Sequence, residues 1–180
     1  TLTCSDGANG SGCNAAKDPL YCTGASTCTP GTNYNPGSKP SITCGAGLVC
    51  ETYIRYQSTD VAGNVEGSIK SALFQIDKKA PTVPGIPSVP TTDQDGTFTV
   101  SWTASTDPDS GLAGYRLQRS ANGGTNWTTI ESLTTNISRN ESNLAEGTYI
   151  YRVRAKDNVE NWSNFSANSS AVVVDKTDPV

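Results

Sequence analysis

The sequence predicts an all-β protein built as two tandem β-sandwiches joined by a short Pro-containing linker. Three observations carry this reading. Apolar residues alternate with polar ones at a period of two, and no stretch shows the spacing of an amphipathic helix. Turn-forming clusters recur at the short intervals of small sandwiches. The 180 residues also divide chemically: all six Cys fall at or before Cys50, whereas residues 81–180 carry seven basic and eleven acidic residues. This length accommodates two small domains, and 34% hydrophobic content with 23 Thr and 20 Ser suits small β domains better than one large core.

The first domain is expected over residues 1–78, with strands at Leu2–Cys4, Leu20–Cys22, Ile42–Cys44, Thr52–Ser58 and Ala72–Ile76. That is fewer than a complete sandwich needs. A first strand is missing in front of Thr1 and would be supplied by the preceding segment or a neighbouring copy. Residues 79–84 read as a linker, because Ala80-Pro-Thr82 is extended and short. The second domain is expected over residues 85–174. There Phe98, Val100 and Trp102 alternate with Thr and Ser, and Tyr115 and Leu117 follow a polar turn. Asn122-Gly-Gly-Thr-Asn126 is a hairpin signal before Trp127–Ile130. Tyr149, Tyr151, Val153 and Ala155 alternate with Ile150, Arg152 and Arg154, and Val172–Val174 closes the sheet. Residues 175–180 read as a second linker.

The two halves echo each other. Asp60-x3-Asn64 corresponds to Asp157-x3-Asn161, and Asp77-Lys78 to Asp175-Lys176. Asp60 and Asp157 are expected to open their hairpins as Asx turns. Joining Val180 to Thr1 gives a smooth entry into the first domain, so the chain reads as one unit of a longer array whose partners are further copies of itself. The competing reading is a piece of a non-repeating protein.

Several function classes are excluded. The chain has no His, which removes the commonest general base and metal ligand. Its formal net charge of -4 argues against a nucleic-acid partner. Its longest aliphatic run, Ala171–Val174, is far below the roughly 20 residues that insert directly into a membrane. Ser and Thr have no base beside them, and no phosphate-cradling Gly loop is present. No enzymatic activity is expected.

The compartment follows from Cys and Asn. Cys4, Cys13, Cys22, Cys28, Cys44 and Cys50 permit fifteen full pairings. Short Gly/Ser/Thr-rich intervals suggest 4–13, 22–28 and 44–50; a zinc site is the rival, without C-x2-C spacing or His to support it. Sequons stand at Asn9, Asn126, Asn136, Asn140, Asn161, Asn164 and Asn168, about twice the number chance predicts. A Ser/Thr/Asn-rich surface also makes sequons by accident. Disulfides and glycans together place the chain outside the cell, at the cell surface or beyond.

Two candidate sites remain. Asp107, Asp109 and Asp157 are expected to share one pole of the second sandwich, near Asp77 of the linker, and offer oxygen ligands to calcium, the one cofactor considered. The same Asp-Pro-Asp-Ser-Gly is equally a turn whose carboxylates cap backbone amides. Asp93-Gln-Asp-Gly96 is a second, less complete candidate. Trp127 and Trp162 fall near turns and would stack on sugar rings if exposed, although Trp127 also suits a core-capping place; Trp102 belongs in the core.

Segment 84–175 resembles a fibronectin type III domain. Thr99-Val-Ser-Trp102 matches the B-strand motif, Gly114-Tyr-Arg-Leu117 the C strand, and Leu144-Ala-Glu-Gly-Thr-Tyr149 with Arg152-Val-Arg-Ala155 the corner and F strand. The resemblance implies that Tyr149 is a corner tyrosine bonding back upstream, with Tyr151 as the alternative because the spacing differs by one residue. Residues 1–80 resemble Ig-like repeats of large archaeal and bacterial surface proteins through Thr1-Leu-Thr-Cys-Ser-Asp-Gly, Tyr21-Cys-Thr, Thr27-Cys-Thr-Pro, and Tyr53-Ile-Arg-Tyr with Asp60-Val-Ala-Gly-Asn-Val-Glu66. With the sequon density, this leans towards an archaeal source. The implied function is a non-catalytic structural or adhesive repeat unit of an extracellular surface protein or filament, stacking end to end. The alternative is an accessory module, carbohydrate-binding or spacer, of a secreted polysaccharide-degrading enzyme.

Overall fold

A computed structural model describes residues 20–24, 30, 32–33 and 42–178. The chain forms two compact units, Thr1–Lys78 and Lys79–Val180. Each is all-β among the described residues. The expected strand at Leu2–Cys4 lies outside them.

In the first unit, β1 (Leu20–Gly24), β2 (Thr32–Asn33), β3 (Val49–Gln57) and β4 (Lys70–Asp77) form an antiparallel sheet in the order β2-β1-β3-β4. The expected strand at Ile42–Cys44 is not one: residues 42–45 join no ladder. The physical reason is a local closure. Cys44 forms a disulfide with Cys50, six residues on, across a turn in which Gly47 has φ +73°. The Gly47 N–H donates to the Lys78 carbonyl, and Lys78 Nζ donates to the Cys44 carbonyl. The segment is thus folded onto the end of β3 rather than extended beside a neighbour.

The second unit contains β5 (Thr92–Asp93), β6 (Phe98–Ser101), β7 (Leu112–Ser120), β8 (Thr128–Thr134), β9 (Ser138–Glu141), β10 (Gly147–Asp157) and β11 (Val172–Val174). One sheet runs β5-β11-β10-β7-β8, and β6 pairs with β9 in the other. A bridge from Ser88 to Ser101 adds the entering chain to the smaller sheet. Residues 79–85, expected mostly as linker, run along this unit: the Thr82 N–H donates to the Thr106 carbonyl and the Gly85 N–H to the Thr103 carbonyl.

Period-two alternation places the core. Val100, Leu117, Tyr151, Val153 and Val172 are fully buried between the sheets, each contributing about 1.5–3 kcal/mol on burial. Phe98 meets Tyr151 edge-on at 6.2 Å, and Trp102 meets Tyr115 at 5.8 Å. Tyr149 takes the corner role: its hydroxyl donates to the Ala145 carbonyl at 3.0 Å, while Tyr151 lies in the core. Gly96 is required where β6 begins. Its φ is +78°, and a Cβ there would lie 2.4 Å from the Leu144 carbonyl oxygen.

Candidate functional site

The outer face of β10 carries the most distinctive chemistry of the second unit. Because side chains alternate along a strand, Tyr151, Val153 and Ala155 point inward while Arg152, Arg154 and Lys156 point outward. The register with β7 sets Arg154 directly opposite Arg116 and Arg152 opposite Gln118. A like-charged pair directly across two strands is ordinarily unfavourable.

Beside β10, on the edge opposite β7, runs the chain leading into β11. It forms no regular ladder over residues 163–171. Instead Ser163, Ser166 and Ser169 bond successively to Ala155, Val153 and Tyr151. Each Ser N–H donates to the strand carbonyl at 2.8–2.9 Å. Each Ser Oγ accepts the same strand residue's N–H at 2.9–3.1 Å. Each hydroxyl then donates to the next residue's carbonyl in its own segment. Three residues pass for every two of β10. The segment therefore winds once per three residues, and its side-chain oxygens substitute for the carbonyls a partner strand would offer. All three Ser are buried.

That winding projects the residue before each Ser to one side. The Trp162 ring centroid lies 4.5 Å from the Arg116 guanidinium, 4.3 Å from that of Arg154, and 5.6 Å from Lys156 Nζ. Phe165 lies 4.7 Å from Arg154 and 4.2 Å from Arg152. Trp127, from the turn before β8, lies 4.1 Å from Arg152. Lys156, Trp162, Arg154, Phe165, Arg152 and Trp127 thus form one continuous row of alternating cations and rings. Each contact supplies about 0.5–2 kcal/mol through the ring quadrupole.

The charges of the row are only partly compensated. Arg152 Nε donates to the Gln118 amide oxygen at 2.9 Å, and Lys156 pairs with Glu160 at 2.6 Å. Among the described residues, no carboxylate pairs with Arg116, Arg152 or Arg154. The Nε atoms of Arg116 and Arg154 are buried without a hydrogen-bond partner. Burial holds the Arg152 guanidinium below its ordinary pKa. Burial, then the neighbouring charges of Arg116 and Arg152, do the same to Arg154.

The other sequence-derived candidates fall as follows. Asp107 Oδ1 accepts the N–H groups of Asp109, Ser110 and Gly111. Asp157 Oδ1 accepts those of Val159 and Asn161, and its Oδ2 accepts the Asn161 amide at 2.7 Å. A carboxylate oxygen of Asp107 lies within 4.8 Å of one of Asp157, so these two are brought together. Asp109 turns aside to Lys79 at 3.0 Å. Asp93 caps the amides of Asp95, Gly96 and Thr97. Trp127 and Trp162 are half-buried, each with a guanidinium against its ring. Asn126, Asn136, Asn140, Asn164 and Asn168 are exposed, whereas the Asn161 amide is engaged by Asp157. Cys44 bonds Cys50, and Cys22 is also in a disulfide. Cys4, Cys13, Cys28 and Asn9 lie outside the described residues.

The serine–aromatic segment is absent from the sequence reading, although its signal was there. Ser163, Ser166 and Ser169 recur every third residue, with Trp162 and Phe165 immediately before two of them, beside an Arg-x-Arg-x-Lys strand. Ser163 and Ser166 also complete the sequons at Asn161 and Asn164, and both bond to β10 in the structure.

The smaller sheet, with its bridge to the entering chain, faces the larger sheet in the manner of a fibronectin III-like sandwich. No family model matches the chain. It is 37% identical to endoglucanase B of Cellulomonas fimi over 136 residues, 71% of this chain and 13% of that protein. It is 33% identical to exoglucanase B of the same species over 170 residues, 89% of this chain and 14% of that protein. The chain therefore spans about one-seventh of the curated relatives it matches. Among solved structures, domains A168–A170 of titin cover 88% of this chain, and the chain covers 55% of theirs, with a TM-score of 0.54 at 14% identity; this is a likeness of fold.

Proposed function

We propose that the chain is a non-catalytic accessory segment of a secreted polysaccharide-degrading enzyme, in which two Pro-linked β units, the first of them disulfide-bearing, act as a spacer that also contacts the polymer. The observation that supports this best is the match to two glucanases over most of this chain but only a small part of each of them. That is the pattern of a module shared by larger enzymes. The reading of a filament unit has no comparable support from the relatives. Disulfides at Cys44–Cys50 and Cys22 agree with an extracellular place.

The test is functional and physical. The purified 180 residues should release no reducing sugar from carboxymethylcellulose or xylan and should remain monomeric by light scattering at high concentration. Hydrolysis that is lost on substituting a carboxylate would overturn the non-catalytic reading. Spontaneous end-to-end filaments in electron micrographs would overturn it in favour of an assembly unit.

A further inference from the structure

We propose that the outer face of β10 is a binding site for an anionic polysaccharide, one carrying carboxylate or sulfate groups. The choice of a polysaccharide among polyanions rests on the accessory reading above; the anionic character rests on the geometry alone.

The argument begins with segregation of charge. The second unit is acidic, with seven basic residues against eleven acidic ones over residues 81–180, yet four of those seven stand together as Arg116, Arg152, Arg154 and Lys156. Arg154 faces Arg116 directly across the strands, the arrangement that repulsion disfavours. Aromatic rings hold these cations in place without neutralising them. Among the described residues, Glu160, 80% exposed at the row's end, is the one acid engaged there, and it pairs with Lys156. The face is therefore preorganised and short of negative charge.

Spacing favours an extended ligand. Arg152, Arg154 and Lys156 repeat every second residue of one strand, so successive charges stand roughly 6.5–7 Å apart along a line. All are partly exposed. A linear chain of charged sugars presents anions along such a line, and guanidinium groups pair with carboxylates or sulfates through paired N–H donors. A neutral sugar, by contrast, would have to displace a guanidinium to stack on Trp162.

The experiment is titration of the whole chain by calorimetry with polygalacturonate, dextran sulfate, neutral hydroxyethylcellulose and single-stranded DNA. Binding to either anionic polysaccharide at about 20 mM salt, weakened at about 200 mM, is expected, with none to the neutral polymer. The two anionic arms separate carboxylate from sulfate preference. Arg116→Gln and Arg154→Gln should each weaken binding about threefold to tenfold. Glu160→Gln, at an exposed position, should strengthen it by a similar factor, and this sign reversal holds even if an Arg variant folds poorly. No binding to either anionic polysaccharide, binding indifferent to Glu160→Gln, or equally tight binding to DNA would each overturn the site. None of those outcomes bears on hydrolysis or assembly, which test the accessory reading separately.

Discussion

At the scale of single residues, buried polar groups decide where this protein is vulnerable. Asp157 is fully buried, and its carboxylate accepts two backbone N–H groups and the Asn161 amide. Asp60 makes the corresponding contacts to Asn64 in the first unit, but in an exposed turn. Asp157→Ala is therefore expected to cost the second unit about 2–3 kcal/mol, and Asp60→Ala about 1 kcal/mol in the first, read from urea unfolding followed unit by unit. Tyr151 is the second case. Burial, and then the charge of Glu141, push its hydroxyl well above the ordinary 10.0. A group whose folded pKa is raised contributes fully below its unfolded value and loses that contribution as pH rises. Between about pH 10 and 12 the wild type should lose up to about 1.4 kcal/mol per pH unit more than Tyr151→Phe. Tyr151→Phe keeps the buried ring and is expected to change stability by about 1 kcal/mol or less at pH 7. Parallel pH–stability curves for the two proteins would contradict the assignment.

At the scale of elements, the winding segment is held by side-chain oxygens where a strand would use its backbone. Ser166→Ala removes the acceptor of the buried Val153 N–H and should cost about 1–3 kcal/mol. Asn164→Ala, exposed and in the same sequon, should change stability by less than about 0.5 kcal/mol. Thermal unfolding of the two variants separates a structural serine from a glycan signal. This element also marks the limit of what periodicity reveals. Alternation located β10, because a strand half-buried in a sandwich writes its two faces directly into the sequence, whereas the corner role of Tyr149 over Tyr151 came from the resemblance and its hydrogen bond to Ala145. A three-residue winding writes a period of three rather than two, and two of its serines are also the Ser of sequons. The row it lines draws on Arg116, placed by the register of β7 with β10, and on Trp127, from the turn before β8, neither of them near it in sequence.

At the scale of the whole molecule, the two units draw on different means of stability. The second has a continuous apolar core. In the first, the Cys44–Cys50 bridge closes a short loop, which contributes about 2 kcal/mol by restricting the unfolded chain. Cys44→Ser with Cys50→Ser should lower the unfolding transition of the first unit by that amount and leave the second unchanged, as differential scanning calorimetry would show. A shift in both transitions would mean that the units unfold together. The sequence by itself determined the all-β class, the two-part division, the paired Asp-x3-Asn turns and most strands of the second sandwich, because these depend on local alternation and turn chemistry. It read Ile42–Cys44 as a strand because three suitable residues look alike whether or not a partner lies beside them; the bridge to Cys50 and the Lys78 contacts decide otherwise. Only tertiary structure assembled the cation–aromatic row, since cross-strand register, rather than neighbourhood in sequence, sets which charges must share a face.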